Sequence, residues 1–267
     1  MDIVTFFEAI LLGIVEGLTE FLPVSSTGHL ILVGDLLGFE GPPGKVFEIV
    51  IQLGAILAVC WAYRVRLTRV ALSLLAEPAS FRFARNLLLA FLPAMVIGAF
   101  AYKIIKTLLF SPWVVSATLI LGGIAIILIE RNLPAVRHEK IDEFGPGLAI
   151  KIGFAQVVSM IPGVSRAGAT IMGAMLMGVD RRTATEFSFF LAIPTMFAAT
   201  VYDIYKNWSG LGTDGGLVIA AGFVVAFLAA LVVVRRLIDF ISRHGFIPFA
   251  WYRIVVGVTM LVLLSIR

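Results

Sequence analysis

Residues 16–29 read EGLTEFLPVSSTGH, and residues 160–170 read MIPGVSRAGAT. Each is a polar passage inside a long apolar stretch, the first over 3–34 and the second over 148–178, with breaks at Pro23 and at Pro162-Gly163. Proline has no amide hydrogen and its ring clashes with the preceding turn, so neither stretch reads as one continuous helix. Two short helices meeting at a polar turn within the membrane fit both, because backbone left unpaired at that depth must line a cavity or be buried in protein.

The rest of the chain agrees with a lipid environment. Of 267 residues, 60% are hydrophobic and 14% charged, with a mean hydropathy of +1.02, more apolar than a soluble core of this size can hide. Stretches 46–63, 86–102, 113–130, 184–203, 217–234 and 247–265 are each long enough to cross a hydrocarbon core of ~30 Å as a helix. The fold expected is an all-α integral membrane protein with six transmembrane helices and two re-entrant helical hairpins. The first thirty residues carry Asp2, Glu8, Glu16 and Glu20 and no basic n-region, so they are expected to be mature structure rather than a leader. The single cysteine, Cys60, excludes an intramolecular disulfide and reads as a small buried hydrophobe.

Displacing the sequence by 140 positions pairs Gly13 with Gly153, Glu16 with Gln156, Ser25 with Ser165, Gly28 with Gly168, Gly38 with Gly178, Glu40 with Asp180 and Phe47 with Phe187. The pairs predict a duplicated unit within one membrane domain, repeat one at approximately 1–131 and repeat two at approximately 147–267. One hairpin and three spans per unit make an odd number of crossings, so the second unit would be inverted. Charge gives an independent orientation. The stretches 64–85, 131–151, 180–183 and 235–246, read as loops between spans, hold fourteen of the 21 Lys and Arg residues, and the opposite side only Lys45, Lys103, Lys106, Lys206 and Arg267. The rich side is expected to be cytoplasmic, which also accounts for the net charge of +4 without a nucleic-acid partner. The first hairpin then opens outward and the second enters from the cytoplasm to meet it.

Glu16 and Glu20 lie four apart, so a helix projects both carboxylates from one face, where they can hold a divalent cation such as Mg²⁺ or Ca²⁺. A carboxylate at the bilayer centre costs roughly 3 kcal/mol, which argues against two of them on a lipid-facing surface. Beyond Pro23, Ser25, Ser26 and Thr27 supply hydroxyls where a second helix begins, followed by Gly28 and His29. Helix N-termini bind phosphate through free N–H groups and the positive dipole end. Ser26 and His29, three apart, are candidates for nucleophile and acid or base; the plainer reading makes the serines N-caps and His29 incidental. In the second passage Gly163 and Gly168 allow close backbone approach, Ser165 and Thr170 add hydroxyls, and Arg166 adds a permanent cation with a planar fork suited to phosphate. A structural ion pair of Arg166 with Glu16 or Glu20 is the alternative and is compatible with binding. Glu48, Gln52, Gln156, Glu186 and Ser188 are candidates for orienting these groups. Trp61, Trp113, Trp208 and Trp251 fall near span ends as an aromatic belt, and Arg253 is expected to snorkel. No GxxxxGK[ST] motif accompanies them, so cleavage of the ligand's own phosphoanhydride is favoured over ATP use.

These passages resemble the undecaprenyl-diphosphate phosphatase family, the bacitracin-resistance proteins, across nearly the whole chain. The family's Glu/Gln-xxx-Glu motif matches Glu16 and Glu20, followed by Ser25, Ser26 and His29. Its PGxSRSxxT motif matches Pro162, Gly163, Ser165, Arg166 and Thr170, with Ala167 in place of the second serine. The resemblance implies a bacterial inner-membrane hydrolase, multi-pass, with its site on the periplasmic or outer side. It would release the terminal phosphate of undecaprenyl diphosphate with a divalent metal, recycling the lipid carrier of peptidoglycan and cell-wall synthesis and conferring bacitracin resistance. Serine, histidine or metal-bound water then stand as candidate nucleophiles, Ser26 being preferred. Expected partners are the polyprenyl diphosphate and membrane lipids, with a second copy of the chain as a candidate. An inverted-repeat transporter or flippase for a lipid phosphate is the alternative, since that architecture also serves carriers.

Overall fold

The computed structural model describes residues 3–39, 46–108, 111–207 and 215–266. Glu40, Lys45, Trp208 and Arg267, used above for repeat, orientation or belt, lie outside them. The described residues form eleven α-helices: α1 (Ile3–Thr19), α2 (Ser26–Leu37), α3 (Val46–Ala62), α4 (Arg64–Leu72), α5 (Pro78–Leu108), α6 (Pro112–Arg131), α7 (Pro146–Val157), α8 (Arg166–Leu176), α9 (Arg181–Asn207), α10 (Gly216–His244) and α11 (Ile247–Ile266). Within α5, α6, α9, α10 and α11 lie stretches long and apolar enough to cross a membrane; α3 and α4 add a sixth only if the pair, bent by 75°, is one span. The segment 64–85, read from its charge as a loop, is largely helical. Its α4 buries no residue and carries Arg64 and Arg69 exposed and Arg66 half-buried.

Both passages that decide the fold break where their chemistry dictates. The first helix ends at Thr19 and resumes at Ser26; the second ends at Val157, passes through one 3-10 turn over Val158–Met160 and resumes at Arg166. At each restart a serine N-cap stands at positive φ, Ser25 at 71° and Ser165 at 76°, and its hydroxyl accepts the N–H of Gly28 or Gly168. Gly38 and Gly178, past the ends of α2 and α8, also share positive φ, at 64° and 83°. A non-glycine residue rarely takes such a conformation, and its recurrence 140 positions apart ties local geometry to the internal sequence match.

Packing follows the same pairing. The helix preceding the first break, α1, lies along α10, while its counterpart α7 lies along α5; α6 pairs with α11, and α3 packs mainly on α10 and less extensively on α9. Close crossing depends on small residues. A Cβ on Gly13 would sit 2.6 Å from the carbonyl oxygen of Gly222 in α10, and one on Gly153 would collide with the Ala90 carbonyl in α5. The core gathers around α9, whose Phe187, Phe189, Phe190 and Leu191 are almost fully buried against Phe21, Ile56, Phe83 and Ile171. Large apolar side chains such as Phe100 and Val255 face outward, as lipid contact requires. Trp61, Trp113 and Trp251 are exposed near helix ends. Cys60 is partly exposed at the edge of the core rather than buried.

Candidate active site

The breaks after α1 and α7 bring their polar residues together. Arg166, first residue of α8, places Nη2 3.1 Å from Glu20 Oε1, an ion pair across 146 positions whose side chains are 11% and 9% exposed. The other Glu20 oxygen accepts a short hydrogen bond from Ser26 Oγ, at the start of α2. Arg166 Nη1 donates to the backbone carbonyl of Ser188 at 2.9 Å and to its hydroxyl at 3.3 Å, and that hydroxyl shares a 2.6 Å bond with Thr170. The Arg166 guanidinium stands over the Phe21 ring. Its Nε is buried without a partner among the described residues. One carboxylate, one guanidinium and one hydroxyl are thus held in a single buried chain of contacts. Charge-assisted bonds of this kind are shorter and stronger than neutral ones, and both charges need them where water is excluded.

Beside this chain lies a cavity of about 190 Å³. It is lined from the first break by Glu20, Ser25, Ser26 and Thr27, and from the second by Ser159, Pro162, Gly163, Ser165 and Arg166. Gln52, Met196 and Ala199 close its side. Gly163 has φ 88°, and a Cβ there would overlap the Thr118 hydroxyl, so the turn needs glycine. Ser165 Oγ, besides capping α8, donates to the Leu22 carbonyl at 3.3 Å and so stitches one turn to the other. The first residues of α2 and α8, Ser26, Thr27 and Arg166, are among the lining residues, and a helix N-terminus favours phosphate.

Glu16 lies one helical turn before Glu20 and is fully buried, and neither of its oxygens takes a hydrogen bond from a described residue. Gln156, its counterpart, is 1% exposed; its oxygen accepts from Thr195 at 3.2 Å while its amide nitrogen has no partner among the described residues. His29 is not brought to Ser26. Its Nδ1 lies 2.8 Å from the Ser25 carbonyl and its Nε2 2.7 Å from the Tyr252 hydroxyl, with the two rings stacked. A carbonyl only accepts, so Nδ1 carries the proton and Nε2 accepts from Tyr252, leaving neither nitrogen for the cavity. Glu186 faces elsewhere, with its carboxylate 3.4 Å from Arg66, because residues two apart on a helix do not share the face that Ser188 presents. Glu48 is half-buried on α3, one turn from Gln52, and is not among the lining residues.

Sequence reasoning missed Met196, whose sulfur is 3.6 Å from Arg166 Nη2, and Tyr252. It also misread Arg253, which is 1% exposed and does not snorkel. An arginine six residues inside the apolar run 247–265 was the signal, by the same reasoning that singled out Arg166.

Apolar helices packed through glycine contacts, around a buried acid, guanidinium and hydroxyl beside capped helix ends, define a multi-pass membrane protein with a buried polar cavity. The chain belongs to the bacitracin resistance protein BacA family, whose sequence profile it matches over residues 9–259. It is 62% identical over 260 residues to undecaprenyl-diphosphatase 2 of Paramagnetospirillum magneticum, covering 97% of this chain and 99% of that protein. Undecaprenyl-diphosphatase of Aromatoleum aromaticum is 55% identical over 261 residues, 98% and 95% of the two chains. Undecaprenyl-diphosphatase 2 of Rhodospirillum rubrum is 55% identical over 262 residues, 98% and 96%.

Proposed function

We propose that this protein hydrolyses undecaprenyl diphosphate to undecaprenyl phosphate and inorganic phosphate, so returning the lipid carrier to cell-wall synthesis and conferring bacitracin resistance. The observation that carries the reading is the Glu20–Arg166–Ser26 chain, assembled from two breaks 140 positions apart beside a polar cavity. The kinship with undecaprenyl-diphosphatases over almost the entire chain supports it. The architecture proposed with it is six spans and two re-entrant hairpins as two inverted repeats, approximately 1–131 and 147–267, in the bacterial inner membrane. The cavity opens to the outer side. Matched serine caps, matched positive-φ glycines and the crossed packing of α1 on α10 and α7 on α5 favour that arrangement.

Arg166 and the first-turn N–H groups of α2 and α8 hold the terminal phosphate and its developing charge. Ser26 Oγ attacks phosphorus and passes its proton to Glu20 Oε2, its hydrogen-bond partner. The bond from phosphorus to the bridging oxygen breaks, and undecaprenyl phosphate leaves. Glu20 gives that proton to the departing undecaprenyl phosphate and is then free to take one from the water that cleaves the phosphoserine; this second proton returns to Ser26 Oγ as inorganic phosphate is freed. Ser188 and Thr170 fix the Arg166 fork, and His29 braces the Ser25 turn rather than moving a proton.

Glu16, which is not among the residues lining the cavity, and Glu20, which is, are the residues that would hold a divalent cation. Two bare, buried carboxylate oxygens one turn from Glu20 are hard donors, and Mg²⁺ is commonly bound by one or two carboxylates together with substrate phosphate. When bound by Glu16 and Glu20 it would neutralise charge on the transferred phosphoryl group. The test is phosphate release from a prenyl diphosphate by purified protein with and without chelator. Release abolished by chelator and by Glu20→Ala and Arg166→Ala supports the reading, whereas lipid movement without phosphate release would replace it with a carrier.

A further inference from the structure

Arg253 is the most completely buried arginine of the described chain, and the phosphatase chemistry above does not use it. Its guanidinium has five N–H groups and meets five carbonyl oxygens: Nε donates to Leu119, Nη1 to Pro23 and Val164, and Nη2 to Thr118 and Gly163, at 2.9–3.3 Å. Three of those carbonyls belong to the two breaks, Pro23 to the first and Gly163 and Val164 to the second. They lie outside helices and take no part in a helical ladder, and inside the protein an unpaired carbonyl is strongly disfavoured. The other two belong to one turn of α6, whose Thr118 hydroxyl also donates to the Pro162 carbonyl at 2.6 Å. Gly122, one turn further along α6, leaves the space the guanidinium fills, since a Cβ there would overlap Nη2.

No carboxylate is among these contacts, so Arg253 is held by backbone dipoles alone. A single planar group therefore fixes the distance between the Pro23 carbonyl and the Gly163–Val164 carbonyls. Pro23 lies three residues from both Glu20 and Ser26, and Gly163 three residues from Arg166.

We propose that Arg253 is a positioning residue that sets the register of the two turns, and through them the placement of Ser26 against a phosphate held by Arg166. This rests on the phosphatase reading above. Lysine keeps the charge but brings only three N–H groups on a tetrahedral nitrogen, so at least two of the five carbonyls lose their donor. Misplacing reacting groups by about 1 Å costs on the order of 10²-fold, and it falls on the chemical step.

The experiment uses purified full-length protein in detergent and reads steady-state phosphate release from a prenyl diphosphate. Arg253→Lys is expected to lose on the order of 10²-fold in kcat with KM nearly unchanged. Gly122→Ala keeps Arg253 but crowds its fork, and is expected to show a smaller loss of the same kind. Amide hydrogen exchange is read in parallel, with exchange over 20–28 and 160–168 expected to rise about tenfold in Arg253→Lys while α10 is unchanged. Wild-type kcat in Arg253→Lys overturns the proposal, as does a loss confined to KM. Failure of both variants to give monodisperse protein also overturns it, because the guanidinium would then hold the fold as a whole. A wild-type protein that releases no phosphate sinks the phosphatase reading instead, and the exchange result then decides the register claim by itself.

Discussion

Replacing Glu20 by glutamine is the most informative single change, because it removes one charge and almost no volume. In the native site Glu20 does two things, receiving Arg166 Nη2 on one oxygen and Ser26 Oγ on the other. Glutamine still offers an oxygen to Arg166, but its amide nitrogen cannot accept the Ser26 proton. Breaking a buried ion pair outright costs about 3–5 kcal/mol, and the retained neutral bond should reduce that to about 1.5–3 kcal/mol, the worth of a hydrogen bond to a charged group. The loss of a positioned base adds about 10²–10⁴-fold to the chemical step. Phosphate release should therefore fall by at least about 10²-fold while thermal unfolding in detergent shifts by only a few degrees. Turnover within about fivefold of wild type would mean that Glu20 takes no proton in the slow step, because a base contributes about 10²-fold or more.

Further expectations follow from neighbouring contacts. Glu16→Gln should raise the Mg²⁺ or Ca²⁺ concentration needed for half-maximal activity with little change in stability, and an unchanged metal titration would remove Glu16 as a ligand. Gly13→Val, driven against the Gly222 carbonyl, should destabilise by about 1–3 kcal/mol in a denaturation series, whereas Gly34→Ala, with open space around it, should be neutral or stabilise by up to about 1 kcal/mol. Tyr252→Phe, which removes the donor to His29 Nε2, should lower activity modestly and leave the pH profile unmoved; a new titration near neutrality would return His29 to acid–base work.

Much of the site was legible because its residues violate the solvent they sit in. Glu20, Ser26 and Arg166 stand out of apolar sequence, and burial forces such groups to find one another. Serine before a short helix offered a cap at Ser25 as the plainer reading, and in the structure Ser165, its match in the second passage, caps its helix too. What sequence could not supply was direction. Ser26 and His29 share a helical spacing, yet His29 turns to Tyr252, a partner more than two hundred positions away. Ser188 and Glu186 looked equivalent by proximity, but the helix phase separates them. Charge density made 64–85 look like a loop although α4 and the start of α5 occupy most of it, since arginine is a good helix former.

The bed of α1 is α10, which begins only at Gly216, whereas α7 meets α5, a helix made long before it. During synthesis the ribosome therefore delivers Glu16 and Glu20 first and completes their surroundings last. The leading segment therefore lacks its packing partner until most of the polypeptide has been made, and a chain released before Gly216 carries Glu16 and Glu20 without the helix on which α1 rests.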